Sequence, residues 1–185
     1  MSKENEISFG ARFINPSKII EQMELPSGCV AADFGCGTGY FSLPLAKKIG
    51  QGGTVYALDI LKQKLESVES QAKIMGLTNI ITKRVNLEKK NGSGLETASC
   101  DWVILVNMLF MNDDKSAIVA EAKRVLKGGG RALIVEWSDA EAAFGPEAAK
   151  KVSQNEIAEI ARKNSLSVIR ELEISNFHWG LEFIK

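Results

Sequence analysis

Val30-Ala-Ala-Asp-Phe-Gly-Cys-Gly-Thr-Gly-Tyr-Phe41 is the stretch that decides the fold. Its apolar start reads as a short strand, its three glycines as a turn, and a helix is expected from about Thr38. The next apolar run, Thr54-Val-Tyr-Ala-Leu58, ends on a carboxylate, Asp59. This order sets a nucleoside-type ligand over a backbone turn, with a carboxylate placed to hold ribose hydroxyls. Such sites form at the carboxyl ends of parallel strands.

The glycine spacing narrows the ligand. A dinucleotide fingerprint, G-x-G-x-x-G, needs a third glycine where Tyr40 stands. Asp33, at the entry to the turn, would repel a pyrophosphate. The Gly-Lys-Ser/Thr ending of a phosphate-binding loop is missing. A carboxylate at the mouth of a glycine turn suits a ligand with positive charge, such as an amino acid's ammonium group.

Asp33-x-Gly35-x-Gly37-x-Gly39 closely resembles the D-x-G-x-G-x-G motif of class I S-adenosylmethionine-dependent methyltransferases. The resemblance runs from about Pro16 to Glu136. Ile80 to Val85 looks like the third strand, ending at Asn86. Asp101-Trp-Val-Ile-Leu-Val-Asn107 looks like the fourth, leading into Met108-Leu-Phe110. Glu121 to Gly130, followed by Arg131-Ala-Leu-Ile-Val-Glu136, looks like the family's helix, glycine turn and fifth strand. The general likeness is to the type 11, quinone-biosynthesis-like and small-molecule branches.

The resemblance implies an α/β fold: a three-layer Rossmann-like sandwich on a seven-stranded, mostly parallel sheet of order 3-2-1-4-5-7-6, strand 7 antiparallel. It also implies a cofactor site for S-adenosylmethionine, with S-adenosylhomocysteine as product. Asp33, Gly35, Cys36, Gly37 and Gly39 would surround the methionine part, the glycines by letting backbone approach. Asp33 would act through charge and by holding the turn or a water. Asp59 would accept from the ribose hydroxyls, with Ile60 beside it. Asn86 is read either as an adenine contact or as an ordinary loop residue, with Leu87 next to it. The carbonyl of Asn107 would accept from the ammonium group, with Met108 adjoining.

Composition sets the outer bounds. The chain has 185 residues, enough for one domain with a substantial core, so 1–185 is read as a single unit with a loose leader over 1–14. Lys plus Arg equals Asp plus Glu at 23 each, so no basic excess advertises nucleic acid. Cys29, Cys36 and Cys100 are too scattered for a disulfide framework, and one histidine, His178, cannot build a zinc site, so no metal is expected. Neither a signal peptide nor an apolar run of spanning length is seen, and a cytoplasmic location is expected. A monomer or a homodimer is equally compatible with the sequence.

Other elements follow from local signals. Asn15-Pro-Ser reads as a helix start, and a third helix is expected from about Lys62 to Met75, with Leu65, Val68, Ala72 and Met75 on one face. Pro44 is tolerated only near the start of the second helix. Asp113 or Asp114 is expected to cap the helix that ends at Leu126. In the tail, Leu166 to Ile174 and Phe177 to Ile184 flank a turn at Ser175-Asn176, so these two strands are antiparallel.

The acceptor side is less marked. Glu136, Trp137 and Asp139 should lie at the cofactor end of strand five, with His178 and Trp179 opposite them. His178 reads first as a hairpin hydrogen-bonding residue and second as a proton acceptor; Glu136 reads as a residue shaping the pocket. Neither is assigned as catalytic. Phe13 or Asn15 is read as a lid or as part of the leader, and the 140–151 loop, with its Phe144-Gly-Pro146 turn, as a cover over the acceptor cavity. Asn107-Met-Leu-Phe110 lacks the prolines of the nucleic-acid amino-methylating enzymes. The leading expectation is a small-molecule acceptor, methylated by in-line displacement. The alternatives are an RNA or protein methyltransferase and a non-catalytic module that binds the cofactor or its product.

Overall fold

The computed structural model describes residues 14–141 and 145–185, so most of the expected leader, Phe13 and Phe144 lie outside the described residues. Seven strands form one sheet in the order β3-β2-β1-β4-β5-β7-β6. They are β1 Val30–Phe34, β2 Thr54–Asp59, β3 Ile80–Arg84, β4 Cys100–Val106, β5 Leu126–Trp137, β6 Ser167–Ser175 and β7 His178–Ile184. β1 to β5 pair in parallel, and β7 runs antiparallel to both β5 and β6. The order and the lone reversed strand are those the family resemblance implies.

Consecutive residues of the central strands feed opposite cores. Val103 and Leu105 join Ala32, Phe34, Ala132 and Ile134 in one cluster. Trp102 and Ile104 join Ala31, Leu133 and Val135 in the other. With a side-chain period of two, a strand apolar at every position must be covered on both faces. α4 (Lys115–Val125) and α5 (Gln154–Lys163) cover the first face through Ile118, Val119, Ile157 and Ala161. α1 (Pro16–Gln22) and α2 (Ser42–Ile49) cover the second through Ile19, Ile20, Leu45 and Ile49. α3 (Lys62–Ile74) packs Leu65 and Val68 on Ala57 and Cys36.

Helix ends follow their capping chemistry. Asn15 caps α1 by accepting from Lys18 N, and Pro16 sits at its first position. Asp114, rather than Asp113, caps α4 by accepting from Ala117 N at 2.8 Å. Met75 is the C-cap of α3 and is half exposed, so it is not part of the buried face that Leu65, Val68 and Ala72 form.

Three boundaries differ from expectation. α2 begins at Ser42 rather than Thr38, because the turn continues through Phe41. Pro44 is then the third helical residue, and its missing donor falls among the first-turn N–H groups that lack helical partners anyway. Lys127 to Gly130 is not a separate turn between helix and strand. β5 begins at Leu126, and its register against β4 shifts between Cys100 and Trp102, so the glycines bulge opposite Asp101. The tail turn falls on Asn176-Phe177, one residue later than expected, and β7 starts at His178.

Candidate active site

The glycine turn is tied to the end of β2. Gly35 N and Cys36 N both donate to Leu58 O, at 2.8 and 2.9 Å. Asp59 at the tip of β2 accepts from Gly37 N through Oδ2 and from Leu61 N through Oδ1, both at 2.9 Å. Each oxygen keeps a second lone pair, so the carboxylate organises the turn and can still accept from a ligand.

The glycines do different jobs. A Cβ on Gly35 would lie 3.0 Å from Met108 Cβ, and one on Gly39 would lie 3.1 Å from Val68 Cγ2. These two therefore let protein side chains approach, in contrast to the expectation that all three admit a ligand. A Cβ on Gly37, at φ +53°, would meet nothing within 4 Å. Gly37 is the glycine that presents bare backbone to open space.

Asp33 is 2% exposed beneath the turn and accepts from the Ser42 hydroxyl at 2.5 Å. Burial pushes its carboxyl up to about 7; the Ser42 bond opposes the rise and nearby Asp59 adds to it. A cationic ligand would reverse that balance. The thiol of Cys36 is also pushed up, first by burial and then by Asp33 and Asp59, so it is an inert wall residue.

These residues border a cavity of about 480 Å³. Asp33, Gly35, Cys36 and Gly37 line one side, and Val106, Asn107, Trp137 and His178 the other. Ile14, Thr38, Tyr40, Phe41 and Lys64 complete it. Tyr40 reaches over to donate to Ile14 O at 2.8 Å, so the start of the described chain is strapped across the turn. The sequence reading did not assign Lys64, Tyr40, Phe41 or Ser42 to the site. Only Ser42 left a signal, since a buried Asp33 demands a donor nearby.

Gly39, Asp59, Ile60, Asn86, Leu87 and Met108 do not line this cavity. Ile60 is half exposed beside Asp59, and Asn86 Oδ1 accepts from Glu88 N at 3.0 Å. Leu87 and Met108 are buried in the core with Leu58.

At the far wall β5 and β7 bring Trp137 opposite His178. Their rings are 4.1 Å apart, and His178 Nδ1 lies 3.0 Å from Ser175 Oγ. His178 Nε2 meets Asn107 Nδ2 at 3.2 Å. With the amide donating to Nε2, the proton sits on Nδ1 and the ring is neutral. Burial and then the charge of Lys151 push the imidazole down to about 4. Asn107 itself has φ +50°, a conformation uncommon outside glycine, at the end of β4. Glu136 is fully buried and does not line the cavity; its carboxylate faces the backbone of Met108 and Leu109 instead. The expectation that it shapes the pocket wall directly is thus corrected: it acts on the turn behind.

Among the described residues no group of three or more His, Cys, Asp or Glu could hold a metal, and no helix is long and apolar enough to cross a membrane. The donor set fits S-adenosylmethionine. A buried carboxyl, Asp33, and the bare backbone of Gly37 line a partly apolar cavity, and a second carboxylate, Asp59, stands behind the turn on the Gly37 N–H, a set that suits an ammonium, a sulfonium and a ribose.

Comparison with known proteins agrees with this geometry. The methyltransferase domain family matches residues 25–180. The demethylmenaquinone methyltransferase of Geobacillus kaustophilus (strain HTA426) is 31% identical over 134 residues, covering 71% of this chain and 55% of that protein. The arsenite methyltransferase of Aquipseudomonas alcaligenes is 24% identical over 163 residues, covering 80% of this chain and 47% of that protein. The chain spans about half the length of the curated relatives it matches. A SAM-dependent methyltransferase from Aquifex aeolicus has the same fold, with TM-score 0.85 at 21% identity, covering 100% of this chain and 99% of that one. The chain therefore belongs to the class I S-adenosylmethionine-dependent methyltransferases.

Proposed function

We propose that this domain methylates a small-molecule acceptor, and that the cavity between the glycine turn and the β5–β7 wall is the donor site. The observation that carries the reading is Gly37: bare backbone facing open space, its N–H fixed by Asp59, beside the buried Asp33. When bound there, S-adenosylmethionine supplies a methyl on a sulfonium, already activated for in-line displacement.

The chain's own residues bind, align and exclude water. Asp33 offsets positive charge under the turn. Asp59 keeps a lone pair on each oxygen for ribose hydroxyls. The Asn107 carbonyl accepts from the ammonium group, and Asn86 meets the adenine edge from the neighbouring strand end. Trp137 and His178 form the wall facing the acceptor. His178, neutral and bonded through both nitrogens, positions Asn107 rather than taking a proton. A thiol-assisted acceptor chemistry is disfavoured, because Cys29, Cys36 and Cys100 are all buried with their thiols pushed up.

Calorimetric titration of ligand-free protein with S-adenosylhomocysteine tests this. Saturable one-to-one binding is expected, followed by transfer of labelled methyl to a small-molecule panel. Absence of binding by folded, ligand-free protein overturns the reading.

A further inference from the structure

A second cavity, of about 670 Å³, is built from the segments that follow β4 and β5. Asn107 lines the donor cavity, and three residues on Phe110 lines the second. Its other wall comes from the segment after β5, Ala149 to Val152. Trp179 Nε1 fixes that wall by donating to Val152 O at 3.1 Å, next to His178 in β7. The strand that carries His178 to the donor cavity thus also anchors, one residue on at Trp179, the wall of the second.

Two ammonium groups inside this cavity lack a counter-ion. Lys115 and Lys151 are half-buried, and among the described residues neither forms an ion pair. Lys115 Nζ donates to Asn112 O at 3.3 Å, and Lys151 Nζ donates to Ala140 O at 2.8 Å. Each ammonium has three N–H donors, so each keeps donors free. The carboxylates that line the cavity, Asp113 and Glu156, belong to exposed residues, as does Lys150, which is paired with Glu147. Half-buried cations held only by carbonyl dipoles favour an incoming anion, since part of their desolvation has already been spent. The exposed Met111 and the half-buried Phe110 offer an apolar surface beside them.

We infer that Lys115 and Lys151 form an oxyanion subsite, and that the acceptor is a small acid carrying a carboxylate or phosphate with an apolar body. This rests on the methyltransferase reading and names the substrate class it leaves open. The anionic group would sit between the two lysines, and the apolar body would lie along Phe110 and Met111. The methylated atom would then face the donor cavity past Asn107.

The test uses protein saturated with S-adenosylhomocysteine, titrated with benzoate, phenyl phosphate and benzamide while backbone amide NMR shifts are followed. Benzoate or phenyl phosphate should shift the amides of 110–115 and 149–152, benzamide should not, and the stronger binder identifies the oxyanion. Lys115→Ala and Lys151→Ala should each weaken that anion roughly tenfold or more, the value of one charge-assisted contact. Lys163→Ala, on the exposed end of α5, should leave it unchanged. Affinity for S-adenosylhomocysteine should be unaltered in every variant, which also certifies that each is folded. Equal binding of benzamide, no anion binding, or anion binding indifferent to both lysines overturns the inference. In each of those cases retained S-adenosylhomocysteine binding leaves the methyltransferase reading standing, whereas loss of cofactor binding in the unaltered protein overturns both.

Discussion

Glu136 holds the turn at Leu109: one carboxylate oxygen accepts from Leu109 N at 2.6 Å and from Met108 N at 2.9 Å. The other oxygen is buried with no partner among the described residues. The end of β5 thereby fixes the turn after β4, and with it Asn107. Glu136→Gln keeps an acceptor but brings an amide N–H₂ with nothing to receive it. The variant should lose about 1–3 kcal/mol of stability, read by urea unfolding. S-adenosylhomocysteine affinity should drop as the Asn107 turn loosens, although Glu136 touches no part of the cavity.

The ligand-free protein should lose stability as pH rises. Burial pushes the carboxyls of Asp33 and Glu136 each up to about 7, above their ordinary unfolded values of 3.8 and 4.5. The folded state therefore holds these protons more tightly than the unfolded one. The stabilisation is complete below the unfolded values and is lost as pH climbs through about 7. Melting temperature should fall between about pH 5 and pH 8, and Asp33→Asn should flatten the curve. Conversely, binding of cationic S-adenosylmethionine should strengthen over this range as Asp33 ionises. Calorimetry in buffers of different ionisation enthalpy would detect the released proton.

His178 is the chain's single histidine, so its imidazole gives one unambiguous NMR titration. Its value is pushed down to about 4, below the ordinary 6.5. The shifts should stay flat from about pH 5.5 to pH 8, with Nδ1 as the protonated nitrogen. A midpoint near 6.5 would contradict the buried, Asn107-bonded ring.

Substitutions in the glycine turn should separate folding from binding. Gly35→Ala drives a Cβ against Met108 at φ +73°, and Gly39→Ala one against Val68 at φ +90°. Both should be strongly destabilised. Gly37→Ala meets open space, and the left-handed φ alone costs about 1–2 kcal/mol. It should remain folded while its affinity for S-adenosylhomocysteine falls.

Glu182, fully buried in β7, is bracketed by Arg131 at 2.9 Å and Arg170 at 2.6 Å. Arg131 also meets the exposed Glu24 just after α1, at 2.9 Å. Removing the buried partner leaves Arg131 with Glu24 and Arg170 with the Gln22 carbonyl, both part-exposed, so Glu182→Ala should cost about 1–3 kcal/mol, the loss of its charge-assisted hydrogen bonds. Glu24→Ala should cost about 1 kcal/mol or less. Denaturant midpoints of the two variants would show the contrast.

The strands and the reversal of the last were legible because apolar runs and turn residues act locally, whereas their order came from the family resemblance. Val30–Phe34 and Trp102–Val106 are apolar enough to require cover on both faces, and so short a turn before His178 forces reversal. The motif also located Asp33, Gly37 and Asp59 at one sheet end. Side-chain direction was not legible. Nothing local reveals that Glu136 turns toward the backbone of Leu109, or that Gly35, on the cavity wall, also makes room for Met108. Nor does spacing along the chain show Lys115 and Lys151 sharing a cavity, since tertiary packing alone brings their segments together.

The reversed strand has a consequence for biosynthesis. β7 is inserted between β5 and β6, so the interior edge of β5 has no partner until a strand made after β6 arrives. A nascent chain that has emerged only as far as β6 already carries the complete glycine turn, but it lacks the His178 wall and presents an open edge at Arg131–Trp137. On the proposed donor site, cofactor capture would wait on the β6–β7 hairpin, and ribosome-stalled or truncated products ending before residue 178 are the species most exposed to edge-to-edge aggregation.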